Sequence, residues 1–438
     1  MESEATSIVM ALQKAGYDAF FAGGCVRDRL RGVTPKDYDI ATSARPDQIL
    51  ELFPKGGTIG AHFGVILVKL GGFHYEIATF REDGTYGDGR RPEAVTFSTA
   101  EKDALRRDFT INGLFWDPLT ERLIDFVNGQ SDIKAGVIRA IGDPAERFDE
   151  DYLRLLRAIR FATDFEYDLD PVTWQAIQHE ADNIGQISPE RIREELDKIW
   201  VSPRRLRGFD LLVESGLMKA IFPEILDLQG CEQPPQWHPE GDVFVHTRLM
   251  LELLPPDASL ALVLSVLFHD IGKPATYAYD AEANRIRFNG HDKVGARMTE
   301  EILKRLRYSN ALNDSVVSAV ANHMVFKDVQ KMRTAKLKRF MARDHFADEL
   351  ELHRVDCTSS HGKLDNFEFI KVKADEFASQ PLIPPPLITG KDLIARGLKP
   401  NPEFGTLLLQ AQDLQLESSL KSRDEALEWL DQQISDLN

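Results

Sequence analysis

Hydrophobic residues in the first third of the chain recur in short runs with alternating spacing, which predicts β-strands. The strands expected from this pattern cover residues 19–24, 37–42, 63–70, 74–80 and 123–129. A connector rich in glycine and charge, residues 81–97, separates the fourth predicted strand from the fifth. The pattern therefore predicts a head with a mixed β-sheet.

From Pro144 onward strand signals almost vanish, and apolar residues recur at helical spacing instead. Residues 149–165 show this spacing with Asp149 as the expected N-cap, and another helix is expected to begin after Ser188. Further helical patterns cover residues 247–254, 260–272, 296–306 and 314–325. The predicted fold class is α+β, an N-terminal mixed-sheet head followed by an all-α remainder.

The chain length of 438 residues exceeds what one hydrophobic core usually serves, so several domains are expected. Proline-rich stretches mark connections within the helical part. The expected domains are a head at 1–143, a helical neck at 144–222, a helical body at 223–378 and a C-terminal tail at 379–438.

Composition narrows the class of protein only moderately. Charged residues make up 28% and hydrophobic residues 43%, as in ordinary globular proteins. The net charge of −17 argues against a non-specific nucleic-acid binder but leaves room for one basic groove. Three scattered cysteines predict neither a disulfide framework nor a zinc knuckle, and no segment predicts a membrane span or secretory signal. We expect a cytoplasmic protein with no membrane contact and no obligate protein partner.

Two aspartates flank a tyrosine in the second predicted strand, DYDIAT. Residues i and i+2 of a strand point to the same face, so Asp37 and Asp39 are expected side by side. Carboxylates this close repel unless a cation lies between them, and Mg²⁺ prefers a few carboxylates together with substrate phosphates. Glu76 in the fourth predicted strand is the best candidate for a third ligand. The alternative for such a pair alone is a turn or a solvated strand face.

The segment GGCVRD just upstream changes this balance. Gly23 and Gly24 allow backbone N–H groups to approach a phosphate, and a helix that begins there points at it. Arg27 is placed to clamp a phosphate oxygen. Together with Asp37 and Asp39, this segment indicates nucleotidyl transfer with two metal ions.

Four motifs follow one another along the first 200 residues: GGCVRDRLRG with KDYDIAT, RRDFTIN (106–112), EDYLRLLRAIRF (150–161) and ERIREEL (190–196). This ordered set resembles the class II tRNA nucleotidyltransferases and the bacterial poly(A) polymerases. The resemblance implies a polymerase-β-like palm that adds C, C and A to the 3′ end of tRNA from CTP and ATP, without a nucleic-acid template. Mg²⁺ is the implied cofactor and pyrophosphate the released product.

The resemblance also implies roles for single positions. Asp37 and Asp39 are the implied ligands of the catalytic Mg²⁺ ions, and Glu76 joins them as a catalytic candidate from the strand pattern. The candidate nucleotide-binding residues are Gly24 and Arg27 from the glycine segment and, from the resemblance, Arg107, Asp108, Asn112, Asp151, Arg154, Arg157 and Arg160. Within this set, the three from RRDFTIN recognise the ribose, the next two read the base edge as an amino-acid template, and the last two steady the triphosphate or shape the pocket.

The template assignment agrees with the chemistry of the bases. Asp151 and Arg154 lie three positions apart on the predicted helix and therefore share a face. A carboxylate accepts from the exocyclic amine of cytosine or adenine, and a guanidinium donates to ring nitrogens or carbonyls. The alternative is an ordinary surface salt bridge between these two residues.

The connector at residues 81–95 resembles the flexible loop of this family, which is thought to help switch the pocket from C to A. Relatives that add only the two C residues tend to lack it, so its presence favours a CCA-adding or an A-adding enzyme. Asp88, Arg90 and Arg91 are its expected working residues, and a merely solvated charged loop is the alternative.

A second constellation lies in the helical body, where a His–Asp doublet ends the apolar run LALVLSVLFHD. The histidines and aspartates of this region resemble the HD superfamily of metal-dependent phosphohydrolases. The implied metal ligands are His246, His269, Asp270 and Asp356. His291 and His323 are implied to complete a second metal position or bind phosphate, and Lys273 to hold a substrate oxygen. Such ligands suit Mn, Ni or Fe, and a phosphodiesterase or phosphatase activity would complement tRNA repair.

The last segment resembles a C-terminal element of many bacterial members of the family. Its basic residues Lys391, Arg396 and Lys399 are candidates for contacts with RNA phosphates, and a small helical packing unit is the alternative.

Three other functions compete with CCA addition. One is an A-adding enzyme or poly(A) polymerase of the same family, and another is an HD phosphohydrolase with a nucleotide-sensing head. A non-catalytic RNA-binding protein is disfavoured by the acidic balance and by the absence of an obvious stacking platform in the sequence.

Overall fold

The structure is a computed structural model that describes residues 1–58, 64–83 and 95–437. The chain divides into two compact units, one formed by residues 1–226 with 305–308 and the other by residues 227–304 with 309–438. The four-domain division predicted from the sequence is finer than this partition and stays a prediction.

The first unit is built on a mixed β-sheet. Its strands are β1 (Ala19–Ala22), β2 (Asp39–Thr42), β3 (Gly57–Thr58), β4 (Val65–Leu70), β5 (Phe73–Thr79), β6 (Arg81–Asp83), β7 (Val95–Phe97), β8 (Leu114–Asp117), β9 (Arg122–Asp125), β10 (Val137–Ile138) and β11 (Asp168–Leu169). Seven of them form one sheet in the order β3-β4-β5-β2-β1-β8-β9. Only the pairing of β2 with β5 is parallel within this sheet.

Helices cover the sheet and continue beyond it. They are α1 (Glu2–Lys14), α2 (Gly24–Leu30), α3 (Pro46–Leu52), α4 (Ala100–Leu105), α5 (Gly129–Ala135), α6 (Pro144–Glu150), α7 (Leu153–Phe165), α8 (Pro171–Glu180), α9 (Pro189–Trp200), α10 (Arg205–Glu214), α11 (Leu217–Ile221) and α12 (Pro223–Leu226). The helix α7 packs against α9 and α10. Its apolar face is fully buried at Leu155, Leu156 and Ile159, which explains its stability by burial rather than by helix propensity.

The second unit is helical with one short hairpin. Its elements are α13 (Val243–Leu253), α14 (Leu260–Phe268), α15 (Lys273–Thr276), β12 (Ala278–Asp280), β13 (Arg285–Arg287), α16 (His291–Arg305), α17 (Asn310–Asn322), α18 (Thr334–Met341), α19 (Phe346–Ser359), α20 (Asp365–Phe377), α21 (Gly390–Ala395), α22 (Pro402–Leu416) and α23 (Arg423–Leu437). The predicted α+β class, with a mixed sheet first and helices after it, is confirmed. None of the helices in the described residues is long and apolar enough to span a membrane.

Two local predictions were wrong. The second strand begins at Asp39, so Asp37 lies before the sheet and the same-face argument does not apply to it. Asp149 does not cap α7, because it lies inside α6. The helical conformation is interrupted at residues 151–152, and α7 begins after them. The N-cap of α6 is Asp143, whose carboxylate accepts the backbone N–H groups of the first turn.

One further local prediction was confirmed only in position, and one strand of the sheet was not predicted. Ser188 occupies the N-cap position of α9 but makes no capping hydrogen bond with its side chain. The strand β8 was missed because its apolar residues, Leu114 to Trp116, follow a short 3₁₀ helix at Thr110–Asn112 without polar alternation. This strand pairs with β1 and extends the sheet on the side opposite β5.

Candidate functional site

Two of the three carboxylates singled out in the sequence, Asp39 and Glu76, lie on the central strands of the sheet. Asp39 is the first residue of β2, and the parallel register that pairs Ile40 with Ile77 places it at the same level as Glu76 on β5. Glu76 is exposed between the buried residues Tyr75 and Ile77, as the alternation predicted. The sheet therefore presents both carboxylates at one place.

Asp37, Asp39 and Glu76 concentrate negative charge. Partial removal of Asp39 from water, together with the charges of Asp37 and Glu76, raises the pKa of Asp39 to about 6 against an opposing effect of Arg107. A divalent cation relieves such repulsion, so these residues fit a metal of the Mg²⁺ type. In the described ranges, however, their carboxylate oxygens do not form a group with all ligand atoms within 4.8 Å.

The glycine pair shapes the turn between β1 and α2. Gly23 has a φ of +69°, and a Cβ atom there would lie 2.9 Å from Nη1 of Arg107. A side chain at this position would therefore be strained and would displace the arginine. Gly24 begins α2, as predicted, and Arg27 follows within its first turn.

A chain of hydrogen bonds connects three of the sequence motifs. Nη1 of Arg27 donates to Oδ1 of Asn112 at 2.7 Å, and Nδ2 of Asn112 donates to Oδ1 of Asp108 at 3.0 Å. The other oxygen of Asp108 accepts from Nη2 and Nε of Arg157 at 2.6 and 2.8 Å. The guanidinium of Arg27 also lies 4.7 Å from the ring centroid of Phe165. The structure thus brings together residues that are up to 130 positions apart in sequence (27 to 157).

The charge on Asp108 is stabilised by these partners. Burial alone would raise the pKa of its carboxyl, but the Arg157 guanidinium and the hydrogen bond from Asn112 lower the pKa to about 2. Arg157 is therefore fixed in place by a carboxylate that stays ionised at neutral pH.

Arg107 is held by a carboxylate that the sequence analysis missed. Asp103, which is 2% exposed, accepts from Nη2 of Arg107 at 3.0 Å and from Nε of Arg106 at 2.9 Å. Its Oδ1 also accepts the backbone N–H of Arg81, the first residue of β6, at 3.3 Å. The pair of arginines in RRDFTIN three and four residues after this aspartate was the only available signal.

The two template residues do not share a helix face as predicted. Asp151 lies in the break before α7, where its Oδ1 accepts the backbone N–H of Leu153 at 3.1 Å. Arg154 lies inside α7 and donates to Oε2 of Glu150 at 2.5 Å and to the carbonyl of Arg147 at 2.7 Å. The predicted alternative, a salt bridge between Asp151 and Arg154, is therefore not what holds either side chain.

The helix α9 supplies the ion-pair partners of Asp151 and Arg160. Arg191 grips Asp151 with two nearly parallel hydrogen bonds, Nη2 to Oδ2 at 2.7 Å and Nη1 to Oδ1 at 3.2 Å. Four residues later on the same face, Glu195 accepts from Nε of Arg160 at 2.6 Å. The motif ERIREEL was noted in the sequence, but the partners of Arg191 and Glu195 were not predicted.

The loop residues Asp88, Arg90 and Arg91 lie outside the described residues, so their predicted role stays a prediction.

Histidines and aspartates converge in the second unit. Among the described residues, three groups place one ligand atom from each member within 4.8 Å of the others. The groups are His238–Glu240–His246, His246–His269–Asp356 and Asp270–His291–His323. All six histidines and aspartates predicted for this centre are therefore brought together, and His238 and Glu240 are additions that the sequence analysis missed.

The hydrogen bonds of three histidines define their tautomers. Nδ1 of His269, His291 and His323 lies 2.9, 2.7 and 2.7 Å from the carbonyl oxygen three residues earlier. A carbonyl only accepts, so each Nδ1 carries the proton and each Nε2 of a neutral ring presents a lone pair. Burial lowers the pKa of His323 to about 4, which keeps this ring neutral.

These lone pairs face one another and a carboxylate. Nε2 of His291 lies 3.1 Å from Nε2 of His323, and both lie within 3.7 Å of Oδ1 of Asp270. Nε2 of His269 lies 3.0 Å from Oδ2 of Asp270, yet makes no hydrogen bond with any described residue. Acceptors that converge in a buried place fit a transition-metal cation.

The same carboxylate is paired with Lys273. Burial would raise the pKa of Asp270, but the positive charge of Lys273 helps to hold it well below its usual range. Nζ of Lys273 lies 2.6 Å from Oδ2 of Asp270 and donates to Oε1 of Gln233 at 2.6 Å. The predicted contact of Lys273 with a substrate oxygen stays a prediction.

A cavity of about 670 Å³ opens beside this cluster. Its wall includes ligand-type residues such as Asp270 and His323, the aromatic residues Trp237 and Phe288, and the cationic Lys327. The arrangement can receive an anion with an apolar portion next to the convergent histidines.

The basic residues of the C-terminal segment differ in exposure and in pairing. Lys391 and Lys399 are exposed, and Arg396 forms an ion pair with Asp431. The helices α21 to α23 share a core that includes Leu393 and Leu430, which agrees with the packing-unit alternative.

Comparisons with known proteins agree with this arrangement. Family models match residues 19–139 as a poly(A) polymerase head domain, 166–228 as a probable RNA- and SrmB-binding site of polymerase A, and 242–352 as an HD domain. The matches therefore define a class that has a poly(A) polymerase-type head, a segment similar to the probable RNA-binding site of polymerase A, and an HD domain.

Relatives extend over nearly the whole chain. A CCA-adding enzyme of Lactobacillus helveticus is 30% identical over 428 residues, 97% of this chain and 95% of that enzyme. An A-adding tRNA nucleotidyltransferase of Deinococcus radiodurans is 34% identical over 89% of both chains. The structure of the Bacillus stearothermophilus CCA-adding enzyme in complex with CTP matches with a TM-score of 0.73 and 25% identity, over 99% of this chain and 98% of that one. The chain belongs to the family of the class II CCA-adding enzymes and bacterial poly(A) polymerases that carry an HD domain, which confirms the resemblance seen in the sequence.

Proposed function

We propose that this chain is a CCA tRNA nucleotidyltransferase that adds C, C and A to the 3′ end of tRNA from CTP and ATP and releases pyrophosphate. The observation that carries the proposal is the hydrogen-bonded chain from Arg27 through Asn112 and Asp108 to Arg157. These hydrogen bonds join three elements in one site: the glycine turn expected to bind phosphate, the RRDFTIN motif expected to bind the ribose, and the helix α7. Full-length relatives that add CCA or A to tRNA support the same activity.

The catalytic role falls to Asp37, Asp39 and Glu76. These carboxylates would hold divalent cations, for which Mg²⁺ is our proposal. When bound, such ions lower the pKa of the attacking 3′-hydroxyl and stabilise the negative charge of the triphosphate. The raised pKa of Asp39 supports this role, because its excess negative charge lacks an ion-pair partner among the described residues.

Nucleotide selection falls to the surface next to these carboxylates. Arg107, Asp108 and Asn112 would contact the ribose, and Arg157 and Arg160 would steady the triphosphate. Asp151 and Arg154 would read the base edge, with an acceptor for the exocyclic amine and donors for the ring. Each of these arginines is already fixed by a carboxylate, which lowers the entropy cost of binding.

The test is extension of a tRNA that lacks its three terminal nucleotides, with labelled CTP and ATP, resolved on a sequencing gel. We expect the full CCA end. A product ending in CC, or no product at all, would contradict the proposal.

A second candidate within the family is A addition, because the Deinococcus radiodurans A-adding enzyme is similar over 89% of the chain. On the same gel, an A-adding enzyme extends only the tRNA that already ends in CC. A long A-tail would indicate a poly(A) polymerase instead.

A hydrolase activity of the second unit is a further candidate function. The convergent lone pairs of His269, His291 and His323 support a transition metal of the Mn, Ni or Fe type. The adjoining cavity would then bind a phosphoester, as a phosphodiesterase or phosphatase requires. Metal analysis of the purified full chain tests this, since a protein with no bound transition metal after reloading would end the proposal.

We also propose a cytoplasmic location, in keeping with a tRNA substrate and with three cysteines that are free and buried.

A further inference from the structure

Among the four histidines that the sequence predicted for the second-unit centre, His246 lacks the main-chain hydrogen bond that orients the other three rings. His269 and His323 directly follow the ends of α14 and α17, where the last carbonyls of a helix have no intrahelical partner. His291 begins α16 and uses the carbonyl of Phe288 in the preceding turn. Each of these rings can therefore donate Nδ1–H to a main-chain oxygen.

His246 lies inside α13 and is 0% exposed. The carbonyl three residues before it, that of Val243, is engaged by the side chain of Thr247 at 2.9 Å and by the helix itself. A ring at this position therefore needs an acceptor from a side chain if its Nδ1 proton is to be fixed.

Glu240 is the nearest such acceptor, because Oγ of Ser359 lies farther from the same Nδ1, at 3.4 Å. Its Oε1 lies 2.8 Å from Nδ1 of His246, and its side chain is 6% exposed. The same oxygen lies 2.9 Å from Nδ1 of His238, which lines the adjoining cavity. Nε2 of His246 then lies on the opposite side of the ring, 3.2 Å from Oδ1 of Asp356.

We propose that Glu240 is a positioning residue that fixes the tautomer of His246, so that its Nε2 is presented to a metal ion together with His269 and Asp356. This inference rests on the hydrolase centre proposed above. Carboxylates that accept from the second nitrogen of a ligating histidine fix the ring and raise its basicity. His269, His291 and His323 obtain their orientation from the backbone, whereas His246 depends on a side chain that substitution can remove.

The competing interpretation is that His238, Glu240 and His246 bind a cation of their own. Distances of 2.8 and 2.9 Å are those of ordinary N–H···O hydrogen bonds, and one carboxylate oxygen can accept both. A cation there would require both Nδ1 atoms to be deprotonated, and His246 would have to bridge two cations. The hydrogen-bonded arrangement needs neither condition.

The experiment is calorimetric titration of the metal-free full chain with Mn²⁺, for the wild type and three variants. Glu240→Leu removes the acceptor and should weaken binding about 10–100-fold at one site. Glu240→Gln keeps an acceptor oxygen without the charge and should give an intermediate affinity. His238→Ala leaves the bond between Glu240 and His246 and should bind within about threefold of wild type, well inside the outer-shell range.

The outcomes separate the hypotheses. Wild-type affinity in Glu240→Leu overturns the positioning role, and an equal loss in His238→Ala assigns the group to a cation of its own. If Glu240→Leu does not fold, as melting in excess chelator would show, Glu240→Ala takes its place, and wild-type affinity in that variant overturns the role. A wild type that binds no Mn²⁺ refutes the hydrolase centre itself, a result distinct from failure of the Glu240 assignment.

Discussion

The two candidate centres treat charge in opposite ways. In the first unit, the cationic side chains are supplied by the protein, and the arginines of the nucleotide surface are each paired with a carboxylate such as Asp108 or Glu195. In the second unit, the Nε2 atoms of His291 and His323 face each other and Asp270. The first surface is therefore prepared for an anionic ligand before it binds, whereas the centre proposed in the second unit would be completed by a cation from solution.

This contrast explains why the first site depends on buried ion pairs. Removing one partner of such a pair leaves an uncompensated charge, which costs far more than the loss of an exposed pair. Removing a proposed ligand in the second unit should cost metal affinity instead. Substitutions in the first unit should therefore lower the free energy of unfolding, whereas substitutions in the second unit should lower metal affinity.

The largest expected effect is on the Asp108–Arg157 pair. Arg157→Leu leaves the carboxylate of Asp108 buried, with 10% of its side chain exposed, and should lower the free energy of unfolding by about 3–5 kcal/mol. Urea denaturation followed by tryptophan fluorescence measures this change.

The matched control is Arg29→Leu, which breaks an ion pair with Glu2 whose side chains are 38% and 50% exposed. It should cost no more than about 1 kcal/mol. Equal costs for the two variants would mean that the nucleotide surface is not organised by buried charge.

The next effect concerns the second unit. His269→Ala combined with Asp270→Ala removes two of the convergent groups and should reduce transition-metal affinity by more than about a hundredfold, beyond the cost of an outer-shell change. Nucleotide addition should persist, because the proposed transferase residues lie in the other unit. Metal content after dialysis and a tRNA extension assay measure both. Loss of extension together with metal would show that the centres are not independent.

The smallest effect concerns base selection. Arg191→Gln removes the paired hydrogen bonds that orient Asp151, and we expect the preference for CTP over UTP, as a ratio of kcat/KM, to fall about tenfold, or roughly 1.4 kcal/mol. Arg193→Gln on the same helix is the control, because that guanidinium donates to the carbonyl of Arg307 instead. An equal decrease for CTP and UTP would reduce Arg191 to a structural support.

The sequence predicted what depends on local order. The strands around Asp39 and Glu76, the glycine turn before α2 and the convergence of the histidines all followed from short motifs and alternation. Each of these signals lies within one element or in a family motif.

The partners could not be predicted in the same way. Asp103, Arg191 and Glu240 act on side chains whose neighbours are set by helix packing and by turns, and acidic or basic residues of this kind are common in any sequence. The break at residues 151–152 was missed because the apolar spacing continues across it. Apolar periodicity reports which face is buried, whereas it does not report which polar side chains meet there.

The most direct test of the account is nucleotide incorporation by the variant Asp37→Ala combined with Asp39→Ala. Loss of the carboxylates that hold the cations should remove several kcal/mol of transition-state stabilisation, so incorporation of labelled CTP and ATP into truncated tRNA should fall at least about a thousandfold. Asp47→Ala, at an exposed aspartate of α3, should retain wild-type activity. Full incorporation by the folded double variant would contradict the proposal that the first unit carries a metal-dependent nucleotidyltransferase centre.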